Sequence, residues 1–131
     1  MRRIAAHRIF PSDNHSLQGV HYLEVDEQNM LGGIYRLESE SEAISFFNGT
    51  LFLTDASLSL SPLQLLEKFQ QLQKEKPSLS AYQIMEVSGL VVNNPLQFAK
   101  PVDVFILDRV NLPSSKFRAD NGSGYGHIQR L

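Results

Sequence analysis

Residues 47–62 read FNGTLFLTDASLSLSP, and the parsing of this stretch sets the fold. Asn48-Gly49 is a strong two-residue turn signal, because both residues tolerate the positive φ that tight hairpin turns require. On that reading 43–47 and 50–53 are two short strands bracketing a hairpin. Asp55 is then the only ionisable side chain before the next element, which opens at Ser61-Pro62-Leu63-Gln64. Ser at N-cap, Pro at N1 and Gln at N3 make that a helix start.

Working outward, 3–10 alternates loosely and reads as a strand closed by the turn residues 11–14. A second strand, 20–25, is rich in β-formers. Asp26-Glu27-Gln28-Asn29 makes a turn, and 30–37 returns as a third strand. Gly32-Gly33 inside it signals a bulge or a close backbone approach. Glu38, Glu40 and Glu42 form an exposed acidic connection. After Ser61 the period changes: Leu65, Phe69 and Leu72 follow helical spacing, with Leu66 widening the stripe and Pro77 beyond the end. A second helix carries Ala81, Ile84 and Met85, with Gly89 at C′. Past a loop through Asn93-Asn94-Pro95, 102–107 is the most hydrophobic strand and 110–112 extends it. A glycine-rich turn at 119–126 leads to a last strand at 127–131.

The order of strands, two helices, strands predicts an α+β fold. The helices sit against one face or end of a mainly antiparallel, sandwich-like sheet. One domain is expected over 1–131, with N-terminal strands in 3–53, helices at 61–75 and 80–88, and C-terminal strands in 102–131.

Of 131 residues, 42% are hydrophobic and 20% charged, which suits a globular domain with a buried core. The formal charge of −2 gives no electrostatic footprint for nucleic acid or an anionic membrane. Cysteine is absent, which removes disulfides, thiolate nucleophiles and Cys-ligated zinc. No secretory h-region or bilayer-length apolar run is present, so a cytoplasmic location is expected.

The four histidines, His7, His15, His21 and His127, show no metal-binding spacing. His7 and His21 lie on neighbouring expected strands and could face one another, although strand histidines are usually surface residues or satisfied partners. No nucleophile elbow accompanies the serines. The 122–126 segment lacks the lysine and the strand-to-helix setting of a phosphate loop. Glu38, Glu40 and Glu42 have no apolar surroundings to raise a pKa, and Asp103 and Asp108 flank the core strand as turn or edge residues. No catalytic, cofactor-binding or metal-ligating residue is assigned, and no cofactor is expected.

Several stretches together resemble the metal-dependent amidohydrolases, the cytosine deaminase and dihydroorotase type. RRIAAHRIFP at 2–11 looks like their opening strand, and GVHYLEVD at 19–26 with LGGIY at 31–35 resembles the next hairpin. FFNGTLFL at 46–53 is similar to the strand leading into the barrel. KPVDVFILD at 100–108 resembles the G-K-x-A-D-x-V-x-x-D return, followed by RVNL and the last strand HIQRL at 127–131. The helices and Gly89 are similar to the final barrel helices. The family's metal segment, P-G-F-x-x-x-H-x-H, should follow the strand at 50–53, but TDASLSL stands at 54–60 without a histidine. A barrel takes about 250 residues, for which there is no room before the next helix. The resemblance therefore implies the composite β-domain alone, with no family functional residue carried over.

That implication sets three expectations. The first is a non-catalytic domain acting through protein contacts, as a homodimer or higher oligomer. Deleting a barrel exposes an apolar flank, which the two helices or a second copy must cover. The second is a binder or enzyme with a newly built site using His7, His21 and Asp55. The third is an accessory subunit completing a separately encoded barrel.

Overall fold

A computed structural model describes residues 1–11, 20–37, 44–107, 116–117 and 128–131. The strands are β1 (Arg2–Ile9), β2 (His21–Val25), β3 (Leu31–Arg36), β4 (Ile44–Asp55), β5 (Val102–Leu107) and β6 (Ile128–Arg130). Two helices, α1 (Pro62–Glu75) and α2 (Ala81–Val87), are inserted between β4 and β5. The fold is the expected α+β. The acidic connection at 38–42, the extension at 110–112, the glycine-rich turn at 119–126, and His15, Asp108 and His127 lie outside the described residues.

The described strands form one six-stranded sheet in the order β3-β2-β1-β4-β5-β6. Every neighbouring pair is antiparallel except β1 and β4, which run parallel at its centre. The hairpin expected at Asn48-Gly49 is not formed. β4 is one continuous strand of 12 residues that passes straight through those two positions. Its first half pairs with β1, from Arg3↔Ile44 to Ala6↔Phe47, and the ladder resumes at Arg8↔Thr50. Its second half pairs with β5, from Thr50↔Leu107 to Asp55↔Val102. Asn48 and Gly49 thus stand against His7 alone, a β-bulge inside the β1 ladder, just before the β5 ladder begins at Thr50. Gly49 has φ 146°, backbone that side chains with a Cβ rarely adopt. Turn and bulge draw on the same glycine chemistry, and the partner strands decide between them.

The break also changes the alternation along β1. Ile4, Ala6 and Ile9 share one apolar cluster, whereas Phe10 belongs to the other. The Gly32-Gly33 bulge is present as expected: Glu24 pairs with Gly33 and Val25 with Leu31, so Gly32 is the extra residue. In the β2–β3 turn, Asp26 accepts hydrogen bonds from the N–H groups of Gln28 and Met30, both at 2.9 Å.

Both helix starts are closed by reciprocal caps. Ser61 Oγ accepts from Gln64 N at 3.1 Å, and Gln64 Oε1 accepts from Ser61 N at 2.8 Å. Ser80 and Gln83 repeat the exchange at 3.3 and 2.9 Å. Gly89 follows the C-cap of α2 with φ 74°, as expected of a C′ residue.

Leu65 and Phe69 of α1 and Ala81, Ile84 and Met85 of α2 are buried against Phe52, Phe105 and Leu107 of the sheet. Phe52 and Phe105 are cross-strand partners whose rings stack at 5.4 Å, and Phe69 meets Phe52 edge-on at 6.2 Å. Each fully buried ring contributes about 1.5–3 kcal/mol from apolar burial. Gln73 is also buried, a placement the helical stripe did not announce. Its Nε2 donates to the carbonyls of Lys76 and Leu79, and its Oε1 accepts from Phe117 N at 3.0 Å.

The opposite face closes on itself. Leu23 and Val25 of β2 pack in one cluster with Leu51, Leu53, Val102, Val104 and Ile106. Val102 N donates to Asn29 O at 2.8 Å, so the β2–β3 turn reaches β5 across two intervening strands. This coiling makes the sheet sandwich-like. It also changes the expectation for the apolar flank: the helices cover one cluster, and the coiled sheet covers the other.

Gly49→Ala is expected to cost about 1–3 kcal/mol, because alanine must hold the same positive φ. Urea denaturation measures it; an unchanged midpoint would show that β4 needs no glycine there.

Candidate functional site

The tip of β4 is the place where the sequence reading looked for chemistry. There Asp55 accepts a hydrogen bond from Ser57 N at 2.9 Å and caps a single 3-10 turn, Ala56–Leu58. Ala56 N donates to Pro101 O at 3.0 Å, tying the exit of β4 to the return into β5. The hydrogen bonds from Ser57, first through its backbone, hold the Asp55 carboxyl below the usual carboxylate range, and Lys100 adds to the effect. The strand delivers a cap.

The three residues weighed for a newly built site are not brought together. His21 pairs with Ala6, so it shares the face of Ala6. His7 meets the ring of Phe46 edge-on at 5.1 Å, and Phe46 pairs with Ala5 on the other face. The two histidines lie on neighbouring strands but on opposite sides of the sheet. Asp55 is farther away still. His21 is level with Phe47 through Ala6, and Phe47 to Asp55 is about 25 Å of strand.

Other polar groups fasten elements. Asp103 pairs with Arg130 Nη1 at 3.2 Å, while Arg130 lies over the Phe105 ring and donates to Leu60 O. These contacts lock β6 onto β5 and onto the start of α1. Among the described residues no group of three or more His, Asp or Glu side chains is placed to hold a metal ion. A shallow depression of about 250 Å³ between α1 and the turn after α2 is lined by Lys68, Gln71, Leu72, Glu75, Ser88 and Leu90.

The feature that the sequence reading missed is a row of rings across four strands. Tyr35 pairs with Tyr22, Tyr22 with Ala5, and Ala5 with Phe46, so these side chains line up on one face. Tyr22 and Tyr35 have centroids 5.6 Å apart, and His7 flanks Phe46 at the far end. Tyr35 is 44% and Phe46 50% exposed, while Ala5 between them is fully buried yet belongs to neither core cluster. Gly33 helps to flatten the row: a Cβ there would lie 2.6 Å from Tyr35 Oη, so only glycine lets the phenol fold down over the strand. Arg3 and Glu24, paired at 3.2 Å, border the rings. The row reaches β3, the outermost described strand on this side, whereas α1 packs toward β6 at the other edge. Exposed aromatic rings beside a charged pair are suited to contact with another surface. Each ring was visible as a strand residue, but their alignment depends on the parallel β1–β4 pair, which joins strands far apart in the sequence and has no local signal.

Comparison with protein-family models, curated proteins and solved structures finds no match to this chain.

Two outcomes are expected from this geometry. Asp55 should titrate in the folded protein below the ordinary value of 3.8. A lowered folded pKa stabilises the fold above the unfolded pKa, and that stabilisation is lost as pH falls through the folded value. Carboxyl NMR titration reads this directly, and a midpoint at or above the ordinary value would contradict it. Thr54 Oγ1 is buried with no hydrogen-bond partner among the described residues. Thr54→Val should therefore be neutral or stabilising in urea denaturation; a loss beyond about 1 kcal/mol would show that the hydroxyl is bonded.

Proposed function

We propose that this chain is a non-catalytic β-domain of amidohydrolase ancestry, without the catalytic barrel, that acts through protein contacts and first of all through self-association. The ancestry draws support from the connection between β4 and β5. Asp55 and Val102 are paired, so residues 56–101 leave and rejoin the sheet at one point. The resemblance puts the barrel at that point. Here the segment carries two capped helices that pack back on the sheet.

The observation that carries the contact reading is the ring row of Tyr35, Tyr22 and Phe46. It runs up to the edge strand β3, whose outer side pairs with no other described strand. Edge strands with uncovered backbone groups are templates for pairing, and antiparallel pairing of β3 with its symmetry mate satisfies a two-fold axis. That arrangement places the tyrosines of both copies in one continuous row. Aromatic pairs of this kind contribute about 0.5–1.5 kcal/mol each beyond their burial. Docking onto a separately encoded barrel remains the second reading, favoured by the common exit and return point at Asp55 and Val102.

Sedimentation velocity tests self-association. The chain should sediment as a dimer at micromolar concentration. Tyr35→Ser combined with Phe46→Ser should shift it to monomer while leaving the circular dichroism spectrum unchanged, and should remove the concentration dependence of the urea midpoint. A monomer for the unmodified chain at high micromolar concentration would overturn the proposal.

A further inference from the structure

We propose that Asn48-Gly49 is a site of spontaneous covalent modification, at which the folded protein converts Asn48 to aspartate and isoaspartate. This inference is independent of self-association. It rests on the placement of the pair. Asn48 is exposed, and neither the ladder to β1 nor the ladder to β5 includes Asn48 or Gly49 as a paired residue. In a regular strand, ladder hydrogen bonds on both sides hold the backbone extended and keep the following nitrogen away from the asparagine amide. An unpaired bulge removes that restraint at the extra residue. Gly49 adds a nitrogen with no neighbouring Cβ to obstruct its approach, on backbone already at φ 146°.

The chemistry needs only water. The Gly49 backbone nitrogen, losing its proton, attacks Cγ of Asn48; a new C–N bond forms and ammonia leaves, closing a five-membered succinimide. Water then adds at one of the two ring carbonyls and the corresponding C–N bond breaks. Opening one bond restores the normal backbone with aspartate. Opening the other leaves isoaspartate, whose backbone runs through the side-chain carbons and is one carbon longer. Either product puts a carboxylate at the bulge opposite His7. The isoaspartate also lengthens the strand at the bulge that interrupts the β1 ladder, two residues from Phe46.

The test uses the intact chain at mildly alkaline pH and 37 °C, with peptide mapping by mass spectrometry over time. A free peptide of residues 44–52 gives the reference rate, and Asn93 and Asn94, both exposed but not followed by glycine, serve as internal controls. Asn48 in the folded chain should convert within an order of magnitude of the free peptide, while Asn93 and Asn94 persist. Because Gly49→Ala could impair folding, Asn48→Gln is the matching variant: its urea midpoint should match the parent, and the acidic species assigned to position 48 should vanish. The other Asn-Gly pair, 121–122, is read on its own peptide. Asn48 remaining intact in the folded chain after the free peptide has converted would overturn the proposal.

Discussion

Strand β4 must serve two ladders at once, and the rest of the architecture depends on how it does so. It runs parallel to β1 from Ile44 to Leu51, with the Asn48-Gly49 bulge inside that ladder, and antiparallel to β5 from Thr50 to Asp55, so Thr50 and Leu51 pair on both sides. Phe47, Leu51 and Leu53 face one cluster and Phe52 the other, so β4 itself keeps a single alternation. The bulge instead offsets β1: two residues of β4 stand against His7, so Ile9 pairs with Leu51 in the inner cluster while Phe52 stacks on Phe105 beneath α1. Two cores on opposite faces are thereby served from one strand. Gly49, at φ 146°, lies in the bulge that sets the offset between β1 and β4.

The two cores have different physical origins. The helix-side core is aromatic and joins Phe105, Phe52, Phe69 and Phe117 through successive ring contacts. Gln73 ties the same region together by spending its whole amide on three backbone groups. The other core is aliphatic, and the sheet itself encloses it by bringing the β2–β3 turn to β5. With both faces filled over this half, the rings left at the surface lie on the β3 side. There Tyr35, Tyr22 and Phe46 are aligned by the pairing of Tyr22 with Ala5 and of Ala5 with Phe46, ahead of the bulge in β4.

Local chemistry was legible in the sequence. The Ser61-x-x-Gln64 cap, the turn led by Asp26, the paired-glycine bulge and the apolar stripes of both helices depend on neighbours within a turn or two, and each is where the pattern put it. Asn48-Gly49 was misread because a hairpin turn and a bulge ask the same of glycine. Only the distant strands β1 and β5 distinguish them. Gln73 was hidden for a related reason, since one of its partners lies 44 positions away. His7 and His21 were correctly placed on adjacent strands, but the pairing of His21 with Ala6 sets their side chains on opposite faces. The candidate surface was illegible as a unit, because Tyr35 and Phe46 become neighbours in a row only through Tyr22 and Ala5.

The whole arrangement stands on β4 being a single strand with two partners. Nuclear Overhauser contacts across the sheet of the isotope-labelled protein measure this directly. A single strand with two partners gives contacts from Phe46 to Ala5 and from Phe52 to Phe105, with Phe47 and Thr50 extended along one strand. Contacts between 43–47 and 50–53, as in two arms of a hairpin closed at Asn48-Gly49, would contradict it.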